Sequence, residues 1–166
     1  AMVFDLFKQV GFVNPERVYH SYPHELSGGM RQRVVICMAI IANPGLIIAD
    51  EPTTALDTTI QKQILEILSQ LTRQKGNALM LISHDWGVIA NMTDRVYVMY
   101  AGRVVETGPT QQVIEDPQHA YTKGLLNAIP SLINKGKKLY SIPFRVPSID
   151  EREKGKWPYI KLTEDN

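Results

Sequence analysis

Two short runs in this chain carry residues suited to phosphate chemistry. The first is Leu26-Ser27-Gly28-Gly29-Met30-Arg31-Gln32-Arg33; the second, seventeen residues further on, is the pair Asp50-Glu51 at the end of an apolar stretch. A serine and two glycines opening a helix turn backbone N–H groups and the positive end of the helix dipole toward an anion. Ser27 can cap that helix by accepting from an N–H two or three residues on, and Gly28 and Gly29 let a phosphate come close because no Cβ intervenes. Adjacent carboxylates beyond a buried strand suit Mg²⁺ and an attacking water. His84 stands at the end of a second apolar run, 78–82, where an imidazole can bond a phosphate or hold a water. Ser83-His84-Asp85 does not read as a hydrolase triad, because neighbours on a strand point to opposite faces and triad members converge only through the fold. No Gly-x-x-x-x-Gly-Lys-[Ser/Thr] loop occurs in the 166 residues.

The elements that must position these groups follow from spacing. Val3, Phe4, Leu6, Phe7 and Val10 predict an amphipathic helix over 2–10, ended by Gly11. Asn14-Pro15-Glu16 can begin a short second helix, and Tyr22-Pro23-His24-Glu25 interrupts the chain before Leu26. Residues 30–42 are basic for one turn and then apolar almost all round, a helix that starts at a polar site and ends in a core. Asn43-Pro44-Gly45 stops it. Residues 46–49 read as a short, fully buried strand of a parallel sheet, with Asp50 at the carboxyl end where ligands of open α/β sheets bind. Ile60, Ile64, Ile67, Leu68 and Leu71 stripe an amphipathic helix from Thr58 to Gln74, and 78–82 form a second buried strand. A short helix over 85–92, a hairpin of 95–100 with 103–107 around Ala101-Gly102, and helices over 110–114 and 121–129 complete the ordered pattern. Beyond Pro130 the chain turns basic and proline-rich, the texture of an appendage of low independent stability.

Eighteen basic against seventeen acidic residues argue against nucleic-acid binding by general electrostatics. The single cysteine, Cys37, lies in an apolar run and reads as a small buried hydrophobe; an internal disulfide is impossible. No apolar run approaches the roughly 20 residues needed to cross a bilayer, so association with a membrane is expected through a partner.

In this order and spacing the motifs resemble those of ATP-binding cassette (ABC) ATPases. Leu26 to Met30 resembles the signature motif, with methionine where glutamine is commoner; 46–52 is similar to the Walker B strand with its catalytic glutamate. Ala55-Leu56-Asp57 is similar to the D-loop, and His84 to the switch histidine. The resemblance covers about residues 1–130. It implies an α/β fold: the C-terminal part of a nucleotide-binding domain, with a mostly parallel sheet, flanking helices, an α-helical signature subdomain (1–43), a catalytic core subdomain (44–130) and a C-terminal extension (131–166). It also implies ATP and Mg²⁺ as ligands. Ser27, Gly28 and Gly29 would contact the γ-phosphate of a nucleotide held by a second ATPase subunit, and Asp57 would line that subunit contact. Asp50 would hold Mg²⁺ through water, Glu51 would deprotonate the attacking water, and His84 would assist it. A helix cap for Ser27 and Asp57, a solvated turn for Asp50-Glu51 and a structural role for His84 are the plainer alternatives.

Tyr22-Pro23-His24-Glu25, Thr53-Thr54 and Asp116-Pro117-Gln118-His119-Ala120-Tyr121-Thr122 look like the oligopeptide, dipeptide and nickel importer ATPases, which usually have proline where Ala120 stands. The absence of any cysteine after Cys37 makes 137–166 resemble only members without an iron–sulfur cluster. The resemblance implies an importer motor for peptides, peripheral on the cytoplasmic face of the membrane. Its partners would be a second ABC subunit, transmembrane permease subunits and, indirectly, an extracytoplasmic substrate-binding protein. Without a Walker A lysine, the 166 residues are expected to be the C-terminal part of a longer ATPase and inactive alone. The alternatives are a non-catalytic partner or regulatory fragment, and a soluble ABC protein outside transport, for which no heptad arm or basic linker is present.

Overall fold

A computed structural model describes residues 2–54, 56–129 and 147–153. They divide into two units, one ending at Asp85 and the other beginning at Trp86.

In the first unit α1 (Met2–Gln9) ends at Gly11, whose φ of 82° needs a residue without Cβ. α2 (Pro15–His20) opens with proline after Asn14, whose side chain accepts from the Arg17 N–H at 3.0 Å. A 3₁₀ turn (Pro23–Glu25) leads to α3 (Gly28–Ile41), which Asn43 terminates in a left-handed conformation, φ 49°. β1 (Leu46–Asp50) follows, then α4 (Thr58–Lys75), closed by Gly76 at φ 68°, then β2 (Ala78–Ile82). β1 and β2 pair in parallel from Leu46↔Ala78 to Asp50↔Ile82, so the α4 crossover returns the chain to the same end of the sheet.

The core of this unit joins helices to one face of that sheet. Leu6, Phe7, Val10 and Phe12 meet Ile36, Cys37 and Ile40 of α3, Ile64, Leu68 and Leu71 of α4, and Ile47 of β1. Ile40 and Ile64 are completely buried, each contributing about 1.5–3 kcal/mol of transfer free energy. Burial also pushes the Cys37 thiol up to about 11, so it stays a neutral hydrophobe.

The expectation of two fully buried strands is corrected here. Ile47, Ala49 and Leu79 turn toward the helices and Leu81 is half-buried, whereas Leu46, Ile48, Met80 and Ile82 are 51%, 62%, 52% and 42% exposed. Helices α3 and α4 cover one face of a two-stranded sheet, and the period of two in a strand leaves alternate side chains on the other.

The second unit comprises α5 (Trp86–Met92), the antiparallel pair β3 (Arg95–Tyr100) and β4 (Arg103–Pro109), α6 (Thr110–Glu115), α7 (Ala120–Asn127) and α8 (Ile149–Glu153). Ala101 and Gly102, both at positive φ, form the two-residue turn, and a bulge lies at Val98/Met99. Among the described residues, parallel pairing occurs in the β1–β2 sheet, and β3 with β4 forms a separate antiparallel one. The Glu106 carboxylate accepts the N–H groups of Gln118 at 2.7 Å and His119 at 3.1 Å, fixing the entry to α7. Of the expected C-terminal extension, all but 147–153 lies outside the described residues.

Candidate functional site

The site residues sit at the ends of elements in the first unit. Ser27 caps α3: its Oγ accepts the Met30 N–H at 3.3 Å, and its carbonyl accepts the Arg31 N–H at 2.9 Å. The amides of Gly28 and Gly29 are then the ones left without an acceptor in that first turn among the described residues. The cap reading of Ser27 therefore holds, and it leaves two backbone donors at the helix end, with the serine hydroxyl still able to donate.

Asp57 does the same for α4. Its Oδ1 accepts the Ile60 N–H at 3.0 Å and its carbonyl the Gln61 N–H at 2.8 Å. The two capped helix ends are in contact. A Cβ built on Gly28 would lie 3.4 Å from Leu56 Cδ2, and one on Gly29 only 2.7 Å from Ile60 Cγ2.

Beyond Asp50 the ladder continues for one more bond, from the Glu51 N–H to the Ile82 carbonyl at 3.0 Å. Glu51 then turns sharply into the left-handed region, φ 46°, a conformation costing on the order of 1–3 kcal/mol for a residue with a side chain. The turn brings its carboxylate onto the residue two places past the end of the neighbouring strand: Oε1 lies 2.8 Å from His84 Nδ1. The Thr54 hydroxyl donates to Oε2 at 3.0 Å, and the Thr54 N–H to the Glu51 carbonyl at 3.1 Å.

Electrostatics follow from that contact. The hydrogen bond to His84 holds the Glu51 carboxyl below its ordinary 4.5, Thr54 acting in the same direction. The same bond, then the carboxylate charge, raises the His84 imidazole above 6.5. Both side chains remain open to solvent, His84 being 82% exposed.

Asp50 is exposed at the carboxyl end of β1. No group of three or more His, Cys, Asp or Glu side chains able to hold a metal occurs among the described residues. This suits Mg²⁺ only in the form that keeps several waters and takes its other ligands from substrate phosphates, with one carboxylate from the protein. Ser83, rejected as a nucleophile, instead accepts the Asp85 N–H at 3.1 Å on its Oγ in a local turn.

The structure thus brings Glu51 to His84, and the Ser27–Gly29 turn to the segment 56–60, and places Asp50, exposed, at its strand end. Thr54 was not marked by sequence as a partner of Glu51. Its place three residues on, within Pro52-Thr53-Thr54, was the available signal for a turn that folds the hydroxyl back.

Two family models match the sequence: "ABC transporter" over residues 2–54, and "Oligopeptide/dipeptide transporter, C-terminal region" over residues 105–159. Over residues 2–54 the chain is similar to the ABC transporter family. Its similarity extends to an oligopeptide transport ATP-binding protein, OppD, of Lactococcus lactis subsp. cremoris, 50% identical over 151 residues, 91% of this chain and 45% of that protein. OppD of Bacillus subtilis is 51% identical over 152 residues, 91% and 42% of the two chains. The dipeptide transport ATP-binding protein DppD of Escherichia coli is 48% identical over 151 residues, 91% and 46%. The chain spans less than half the length of these relatives. No helix among the described residues is long and apolar enough to cross a membrane.

Proposed function

We propose that the intact protein carrying this chain is the ATP-hydrolysing subunit of an ABC importer for oligopeptides or dipeptides. The observation that carries this reading is the Glu51–His84 contact of 2.8 Å at the ends of two adjacent parallel strands. A carboxylate so held keeps lone pairs free on both oxygens, since His84 and Thr54 each use only one. It can accept the proton of a water attacking a phosphate, while the imidazole steadies the carboxylate and offers its other nitrogen toward the phosphate. Asp50 would hold Mg²⁺ through water; bound there, the ion supplies charge neutralisation for the phosphate oxygens.

In this reading the Gly28 and Gly29 amides and the Ser27 hydroxyl donate to the γ-phosphate of a nucleotide held by a second ABC subunit, with Asp57 at the seam. Residues 1–43 serve as the signature subdomain and 44–130 as the catalytic core. Closure of the two subunits shifts the membrane permease between its facing states, and hydrolysis resets it. The protein then works peripherally on the cytoplasmic face, supplied by an extracytoplasmic binding protein. The relatives' names, given for oligopeptide and dipeptide transport, support the substrate class.

The test is Glu51→Gln in the intact, assembled transporter. Turnover is expected to fall by about 10²–10⁴-fold with Mg-ATP binding retained; unchanged phosphate release would remove Glu51 from the role of base.

A further inference from the structure

We propose that Ile60 is a positioning residue for the Ser27–Gly29 turn: it occupies the space a side chain at position 29 would need, so that the starts of α3 and α4 sit in one fixed register. A Cβ at Gly29 would meet Ile60 Cγ2 at 2.7 Å, closer than real Cβ contacts come. Ile60 lies in the first turn of α4, where a β-branched side chain has one strongly preferred χ1, so its methyl cannot swing aside at small cost. Gly28 is different. The nearest atom to its Cβ position, Leu56 Cδ2, is 3.4 Å away, at the edge of ordinary van der Waals contact.

A second seam one turn along holds the same pair of helices. The Arg33 guanidinium on α3 donates through Nη2 to Gln63 Oε1 of α4 at 2.7 Å and through Nη1 to the Val10 carbonyl at 3.0 Å. Gly29 with Ile60 and Arg33 with Gln63 are thus successive contacts of one interface, four residues apart on α3 and three on α4. The Ile60 amide is also the one that Asp57 caps. A shift of the segment 56–60 is therefore transmitted to the amides of Gly28 and Gly29 by direct packing. The missing side chain at 29 serves this internal fit, whereas openness toward a ligand is served at 28.

The consequence for catalysis rests on the reading that this turn meets a γ-phosphate. The experiment combines Gly29→Ala, Ile60→Ala and the double variant in the intact transporter, reading thermal stability without nucleotide and kcat and KM for Mg-ATP. Gly29→Ala is expected to lower both stability and kcat/KM, and Ile60→Ala in the same chain to restore stability and recover at least about tenfold in kcat/KM. Gly28→Ala, by contrast, is expected to lose turnover with stability near wild type and to gain nothing from Leu56→Ala. If Gly29→Ala leaves stability unchanged, or the double variant is no more active than the single, the proposal is overturned while the phosphate reading of the turn stands. If the wild-type transporter shows no Mg-ATP hydrolysis at all, the functional reading fails, and the nucleotide-free stability cycle still decides whether Ile60 seats Gly29.

Discussion

Glu51 is aimed by a backbone turn that costs energy. Its left-handed conformation carries the carboxylate to His84 and Thr54, with one hydrogen bond to each oxygen. The pair has a definite pH signature. His84, raised by Glu51, contributes fully below its unfolded 6.5 and loses that contribution as pH rises through the higher folded value. Glu51, lowered by His84, contributes above its unfolded 4.5 and loses it as pH falls through the lower folded value. Both groups are solvent-exposed, so the effect belongs to protonation rather than to global stability. Titration of the His84 ring protons by NMR is expected to give a midpoint above 6.5 that falls toward it in Glu51→Gln; a midpoint at or below 6.5 in the wild-type chain means the pair is not formed in solution. Thr54→Val should move the midpoint far less, because the hydroxyl bonds the other oxygen.

The helices were legible where a cap or a glycine marks an end. Asn14, Ser27 and Asp57 each accept from an N–H three residues on, and Gly11 and Gly76 close their helices at positive φ, so α1 to α4 fall within a few residues of where spacing puts them. The order of Ser27, Asp50-Glu51, Asp57 and His84 was likewise readable. Contacts between elements were not, because periodicity reports which face is apolar and not what covers it. Leu46 and Ile48 belong to an apolar run, yet they lie on the face of β1 left exposed among the described residues. The fit of Ile60 into the gap at Gly29, across two helices, leaves no trace in local spacing. Glu106 shows the same limit: sequence alone marked 116–122, whereas the structure gives the segment a physical partner twelve and thirteen residues earlier. Glu106→Ala should release two backbone donors and destabilise the second unit by about 1–3 kcal/mol, with faster amide exchange at Gln118 and His119; unchanged exchange there would mean the carboxylate does not hold α7. Ile64→Ala, at a fully buried position of α4, is expected to lower stability by about 2–5 kcal/mol in denaturant unfolding.

At the scale of the whole molecule, the proposed function asks these residues for only half of a phosphate site. The 166 residues offer the Glu51–His84 pair and a capped helix start, but no Gly-x-x-x-x-Gly-Lys-[Ser/Thr] loop to cradle a triphosphate. Isothermal calorimetry on the chain by itself should therefore show no micromolar affinity for Mg-ATP; such affinity would place the main phosphate contacts within residues 1–166. In the proposed function the Ser27–Gly29 turn meets a nucleotide held by another chain. The most direct measurement of that claim is nucleotide-dependent association of the intact Glu51→Gln protein with a second ABC subunit, followed by sedimentation. Mg-ATP should drive the two subunits together, and Ser27→Glu, which sets a negative charge against the γ-phosphate, should abolish the association. Association that is indifferent to ATP, or untouched by Ser27→Glu, would contradict it.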